Sequence, residues 1–576
     1  VTSIGHPYPQ RPVAPGWLRT LRQPYAWLTG LSIAFFAFLI LYSLGLMLWR
    51  TFFAGGELQV DAIAAVFRAP WLPQVLFNTA VVVGISTAVA VALGAVLAWI
   101  NERTDAGFGM LGSILPIIPL LLPGVAVAIG WVFIAAPNVG YVNAILAALP
   151  APLDQITVNI NSWTGLVFVY SLNGIPYVYL VLSAALKNVD PALEEASRVS
   201  GAGLWRTLTK VSLPAIRPAI IASALLVVIS GLGTFSTAVI IGTPAQVDLL
   251  TTRIVRMLTR SFPPDFVAAQ MLSLLMLVAV AVVWWLQARV SKSGQFVALG
   301  GRAGGISKLP LGRWRLPARL FTILLILVTT VLPAVALLIV ALQPYWTPVV
   351  RLDNLSLNNF REVLFNNRMI LAAFQNSLLI STVGASIAMV IAVVSAIYIA
   401  VKNNLFASVV DFFLKVPAIL PHLIIAVGFL IAFGGAPFYL SGSITILLLA
   451  LVVMYISPGA IAATAAVDQV GKDLREASRI SGAGEGRTVA RIIVPLALPG
   501  FVAGWTLVFV QIMGDLSASA ILAGLRTPVI GFAMLEIWEA GTFGTLAAFS
   551  AILCVLNLVV VGAMMIFVRL YRKTAA

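Results

Sequence analysis

Charge is scarce in this chain. Only 10% of its 576 residues are Asp, Glu, Lys or Arg, where soluble domains carry about 25%. With 61% hydrophobic residues and a mean hydropathy of +1.03, a water-soluble globular fold is excluded. Cysteine occurs once, at Cys554 within an apolar run, so no intramolecular disulfide and no cysteine-built metal centre can form. Histidine occurs twice, as His6 and His422, which leaves little from which to assemble a catalytic set. A phosphate-cradling loop is missing as well. Gly471-Lys472 is followed by Asp473 rather than Ser or Thr, and position 466, where that motif needs glycine, is Ala466. Any nucleotide chemistry must belong to another chain.

What the chain has in abundance is long apolar runs. A membrane-spanning helix needs about 20 such residues. Twelve runs qualify: 27–49, 76–100, 111–136, 163–187, 214–242, 265–288, 318–342, 374–401, 408–434, 443–466, 495–524 and 544–569. The expected fold is therefore an all-α integral membrane protein of about twelve spans, six in each half. The expected organisation is a polar lead (1–24), a first half (25–288), a basic linker (289–317), a second half (318–570) and a short tail (571–576). The first run is too long for a signal-peptide core and is read as a retained span. The net charge of +15 is spread over loops, so it points to anionic membrane lipid and not to nucleic acid. The linker carries Arg289, Lys292, Arg302, Lys308, Arg313 and Arg315 with no acid, and the lead and tail are also basic. The positive-inside rule then puts both termini and the linker in the cytoplasm.

One polar segment occurs twice. Leu193–Pro214 aligns without gaps on Leu474–Pro495, with 12 of 22 positions identical. Its centre reads Glu195-Ala196-Ser197-Arg198-Val199-Ser200-Gly201 in the first copy and Glu476-Ala477-Ser478-Arg479-Ile480-Ser481-Gly482 in the second. Asp190-Pro191 is a strong helix start, Glu194 and Glu195 suit the first turns, and the glycines end the helix. Each copy is expected to be a short exposed helix, a glycine turn and a return into the membrane at Pro214 or Pro495.

This pattern, Glu-Ala-Ser-x3-Gly-x9-(Val or Ile)-x-(Leu or Val)-Pro, resembles the cytoplasmic coupling motif of permease subunits of ATP-binding-cassette importers. Two copies in one chain resemble the fused permeases of the ferric-iron group, a layout shared with thiamine permeases. Ser197 and Ser478 stand where the motif has a second alanine, and Val494 where it has leucine. The resemblance implies a pseudo-twofold permease of the type I importer fold in a bacterial cytoplasmic membrane. It implies that Glu195, Ala196, Ser197, Arg198 and Gly201, with Glu476, Ala477, Ser478, Arg479 and Gly482, couple to two copies of an ATPase subunit. Those partners, and not this chain, would bind ATP and Mg. It also implies a periplasmic or lipid-anchored solute-binding protein. Solute, most readily ferric iron, would enter by ATP-driven alternating access, with thiamine, phosphonate, polyamine or sugar-phosphate as alternatives. A secondary transporter would also have twelve spans and internal repeats, but it would not need the duplicated polar motif.

The repeat extends further. Asn78-Thr79 matches Asn376-Ser377 and Leu122-Pro123 matches Leu420-Pro421, both at an offset of 298, which falls to 281 at the polar segment. The first half thus holds 17 extra residues, within 137–163. Ionisable residues within spans are costly and mark function by default. Asp515 is such a residue, and its repeat partner is the neutral Thr234. With Gln511, Ser517, Thr234, Asn173 and His422 it makes up the candidate translocation path; the alternative role for Asp515 is a carboxylate bonded to neighbouring serines. A lone histidine such as His422 is more often a hydrogen-bonded core residue than a ligand. Asn173–Pro176 and Ser457–Gly459 are expected to interrupt the fourth and tenth spans. Arg253, Arg256 and Arg260 lie in a basic outer loop, and Glu536 and Glu539 in the acidic loop that matches it. Arg253, Arg256, Glu536 and Glu539 are the candidate docking residues for the binding protein, or else plain solvated charge.

Overall fold

The structure, a computed structural model, describes residues 24–54, 56–293, 308–402 and 404–575. The polar lead and most of the basic linker lie outside the described residues. Among the described residues the fold is helical apart from a ribbon that pairs Phe53–Ala54 with Glu57–Leu58 and two isolated bridges, Thr104 with Leu309 and Gly524 with Thr527. Among the described residues nine helices are long and apolar enough to cross a membrane, and three further pairs of helices are bent, giving up to twelve spans if each pair counts as one. Helices overrun the expected boundaries: Phe266–Ser293 continues into the linker, and Phe543–Ala575 runs through the expected tail.

The bends fall elsewhere than expected. Pro176 and Pro458 lie inside the unbroken helices Trp163–Asn188 and Ile444–Asp468, so the fourth and tenth spans are not interrupted. A proline costs one backbone bond, and packed neighbours can hold such a helix together. In the tenth span the hydroxyl of Ser457 donates to the carbonyl of Leu414 at 2.7 Å. The sharpest bends are in the third and ninth runs, and a lesser one of 68° parts Trp205–Ala215 from Arg217–Gly233 at the start of the fifth. Leu111–Leu121 meets Gly124–Ala135 at 92°, and Leu405–Ala418 meets His422–Phe433 at 102°. Both corners are the repeated Leu-Pro pair, Leu122-Pro123 and Leu420-Pro421. A proline biases the residue before it out of the helical region; Leu122, at ψ 135, is extended.

The two halves interlock. The first helix, Pro24–Phe52, packs on His422–Phe433 and Arg368–Val401 of the second half. In return Leu332–Leu342 packs on Gly124–Ala135 of the first. The contact is close: a side chain on Gly130 would meet the Pro333 carbonyl oxygen at 2.6 Å. Large apolar side chains such as Leu31, Phe77, Leu379 and Val559 remain exposed around the outside. A lipid solvent accepts these at no cost, whereas water would not.

Candidate functional site

The two Glu-Ala-Ser segments form nine-residue helices, Pro191–Val199 and Lys472–Ile480. Both close in the same way. Gly201 and Gly482 take φ of +81° and +79°, the left-handed conformation that favours glycine. The N–H of Ala202 then reaches the Ser197 carbonyl, and that of Ala483 the Ser478 carbonyl, each at 3.1 Å, which is the Schellman closure of a helix. The serines that depart from the motif have a use. The hydroxyls of Ser197 and Thr207 are hydrogen-bonded at 3.1 Å, and those of Ser478 and Thr488 at 2.8 Å. Each bond clamps its helix to the start of the next. That next helix passes through a π-helical turn at Leu208–Ser212 or Val489–Ile493, at equivalent positions of the repeat.

The outward faces are alike too. Glu195, Ala196 and Gly201 are exposed, as are Glu476, Ala477 and Gly482. Val199 and Ile480 stand 89% and 88% exposed, with Leu193 and Leu474 half exposed beside them. Arg198 and Arg479 lie near the C-terminal ends of the two helices. A paired carboxylate and apolar surface of this kind fits a protein partner.

The inward anchors of the two helices differ. In the first half Arg103, only 1% exposed, closes the long helix Trp71–Arg103. Its Nη2 donates to the carbonyls of Leu186 at 2.5 Å and Val189 at 2.7 Å. Its Nη1 lies 3.6 Å from Glu194, which also accepts the Ser212 hydroxyl at 2.7 Å. Glu194 is therefore a buried strut and not just a helix-dipole partner. In the second half the position of Glu194 is taken by Arg475, whose Nη1 donates to the Ala400 carbonyl at 2.9 Å. No run or motif signals either contact, because the partners lie 91 and 75 residues apart.

At the centre of the molecule the fifth span of each half breaks. Arg217–Gly233 stops before Thr234, and Val494–Met513 stops before Asp515. Each break faces the Leu-Pro corner of the opposite half. A Cβ on Gly514 would stand 3.2 Å from Pro123, and one on Gly233 would stand 3.4 Å from Pro421. Asp515 is buried beside this contact. Its Oδ1 accepts the Tyr455 hydroxyl at 2.9 Å, and its Oδ2 accepts the Ala518 N–H at 2.7 Å. The neighbouring Ser519 bonds the backbone carbonyl of Asp515, not its carboxylate. His422 lies edge-on to the Tyr455 ring at 4.6 Å. Tyr455 lies 11 residues into its 25-residue helix, about 16 Å from its start at ~1.5 Å per residue, so the cluster sits near the middle of that helix. In the first half its positions are held by Gly124, Gly174 and Thr234. Gln511 and Ser517 flank the break, half-buried. Asn173 donates to Thr237 at 3.1 Å, and the Thr234 hydroxyl to the Ser230 carbonyl at 2.9 Å. Of the path residues, then, Asp515 and His422 meet through Tyr455, while Asn173 is tied to its own half.

The charges expected in loops lie on helices instead, Arg253 and Arg256 on Leu250–Thr259 and Glu536 and Glu539 on Ile530–Ala540, and most of them are paired. Arg253 and Arg256 both pair with Asp248, at 3.2 and 2.7 Å, and Arg253 also stacks over Trp71. Arg260 of the first half pairs with Glu539 of the second. Glu536 is exposed.

Comparison with known proteins places this geometry. The model of the binding-protein-dependent transport system inner membrane component family matches residues 90–292 and 388–573, one region in each half. Each region contains one Glu-Ala-Ser helix and one central break. The chain belongs to this family. It is thus a multi-pass transport subunit of an ATP-binding-cassette system, an inner membrane component and not an enzyme. The ferric transport system permease protein FbpB of Actinobacillus pleuropneumoniae is 24% identical over 539 residues, 91% of this chain and 75% of that protein. A probable ABC transporter permease protein of Sinorhizobium fredii is 25% identical over 541 residues, 90% of this chain and 91% of its own length. The molybdenum transport system permease protein ModB of Escherichia coli is 30% identical, but over 148 residues, 25% of this chain and 61% of that protein.

Proposed function

We propose that this chain is the permease of an importer that carries ferric iron into the cytoplasm. One observation carries the substrate: proteins named as ferric permeases align along 85–91% of the chain, whereas those named for trehalose or molybdenum align along about a quarter. The repeat-bearing face is cytoplasmic in this reading, with both termini on the same side.

Each Glu-Ala-Ser helix receives one ATPase subunit, which supplies ATP and Mg. Leu193, Val199 and Glu195 offer one contact surface, and Leu474, Ile480 and Glu476 the other. Closure of the ATPases pulls on both helices. The Arg103–Glu194 strut passes that pull to the helix Trp71–Arg103, and the Ser–Thr clamps pass it to the helices that lead to the central breaks. Parting Gly514 from Pro123 and Gly233 from Pro421 opens the path toward a solute-binding protein seated near Arg253, Arg256, Glu536 and Glu539. Iron, as substrate, passes Asp515, a hard oxygen ligand suited to a hard cation.

The test is uptake of radioactive ferric iron into proteoliposomes holding this chain, its ATPase and the iron-loaded binding protein. ATP-dependent uptake is expected. A cognate binding protein that carries a different solute, with no iron uptake, overturns the substrate assignment.

A further inference from the structure

The repeat predicts that whatever fills the interface at one end of the first helix should also fill it in the other half. It does not. Where Leu332–Leu342 meets Gly124–Ala135, the space at the face opposite the Glu-Ala-Ser helices is packed with rings. Trp346 lies 4.9 Å from Phe133 and 5.3 Å from Phe543. The equivalent place, where Pro24–Phe52 meets His422–Phe433 and the start of Phe266–Ser293, is a cavity of about 610 Å³. Ile431 stands there for Phe133, and among the described residues no tryptophan lines it. The volume is that of a small-molecule site.

The lining has a direction. Phe53, Phe266 and Leu430 give apolar walls, and Arg50 and Gln270 supply polar groups. Gln270 is 4% exposed and held near the Thr51 hydroxyl, at 3.2 Å. Arg50 gives one N–H to the Ile431 carbonyl at 3.3 Å, which leaves the rest of its guanidinium without a carboxylate within ion-pair distance among the described residues. Among the described residues no Asp or Glu lines the cavity. Three helix ends meet here, and Trp49, stacked on Phe53 and 57% exposed, marks the water–lipid boundary.

We propose that this cavity binds the head group and glycerol region of an anionic phospholipid from the leaflet at that face. Arg50 takes the phosphate, for which a guanidinium fork is suited. The apolar walls take the glycerol esters, which a free phosphate ion could not use. A zwitterionic lipid would bring an ammonium group to a lining that holds no acid. The bound lipid would do for this half what Trp346 does for the other, sealing the seam between the first helix and the partner half.

Native mass spectrometry of the full chain, released from nanodiscs of equal phosphatidylglycerol and phosphatidylethanolamine, tests the site. The expected result is one phosphatidylglycerol that survives delipidation of the wild type. Arg50→Gln should weaken its retention about tenfold, the loss of a charge-assisted hydrogen bond. Ile431→Phe, which copies the filled half, should also expel it, and Arg569→Gln, in the last helix, should retain it. Equal retention by Arg50→Gln and Ile431→Phe, equal retention of the two lipids, or displacement by millimolar inorganic phosphate would each overturn the proposal. The readout is bound lipid, so its failure would leave the transport reading untouched.

Discussion

Gly514 of the second half lies against Pro123 of the first, close enough that a single added methyl would stand 3.2 Å from the proline Cβ. The relation is mirrored by Gly233 and Pro421, so the two halves meet at mid-molecule through a helix break and a helix corner, each contributed once by each half. A side chain at 514 would crowd the proline ring, whereas at 233 it would reach ordinary van der Waals contact at 3.4 Å.

Gly514→Leu should therefore wedge this contact. Overpacking costs about 1–3 kcal/mol, less than the fold can bear, so the variant should still assemble with its ATPase. Its ATP hydrolysis should lose dependence on the binding protein, measured in proteoliposomes. Hydrolysis and uptake both at wild-type levels would show that the contact does not gate.

Glu194→Ala leaves Arg103 as an unpaired buried cation. Removing one partner of a buried pair costs about 3–5 kcal/mol, and the thermal unfolding midpoint should fall accordingly. The double variant Arg103→Met, Glu194→Met should recover most of that stability, because the desolvation cost disappears with the charges. Arg475→Ala, which breaks only a half-buried bond to a carbonyl, should shift the midpoint less. Equal shifts for Glu194→Ala and Arg475→Ala would contradict the asymmetry of the two anchors.

Glu195→Ala with Glu476→Ala should act on function and not on the fold. Both carboxylates are exposed, so stability should change by less than about 0.5 kcal/mol. Uptake should fall about tenfold or more, as when central interface contacts are truncated. Wild-type uptake by the double variant would remove these residues from the coupling surface.

Asp515→Asn separates charge from packing. Both carboxylate oxygens accept hydrogen bonds, and an amide offers only one oxygen, so either Tyr455 or the Ala518 N–H loses its acceptor. Stability should drop by about 1 kcal/mol. If the charge serves cation passage, uptake falls far more than that figure implies, while assembly with the ATPase persists. Normal iron uptake by a correctly assembled variant would make Asp515 a structural cap.

Much of this protein was readable along the chain. The apolar runs gave the spans because lipid demands about 20 apolar residues per crossing. The duplicated polar segment gave the halves and the family because water-exposed polar residues are not blurred by the general hydrophobicity around them. Even Ser197 and Ser478, which look like neutral departures from the motif, carried information, since each has its threonine ten residues on. The prolines misled in one respect. Pro176 and Pro458 sit in unbroken helices, whereas Pro123 and Pro421 mark sharp corners, and a proline by itself does not state whether neighbours will hold the helix together.

What the tertiary structure alone decided are relations between distant segments of the chain. The Arg103–Glu194 strut, the Asp515–Tyr455–His422 cluster, the Arg260–Glu539 pair and the crossing of each first helix onto the other half join residues 33 to more than 370 positions apart. Hydrophobic periodicity constrains which residues leave water, and in a membrane nearly every residue of a span does so. The pattern therefore sets how many helices there are but not which faces meet. Those choices fall to close packing, to the satisfaction of buried polar groups and to the few glycines that let one half approach the other.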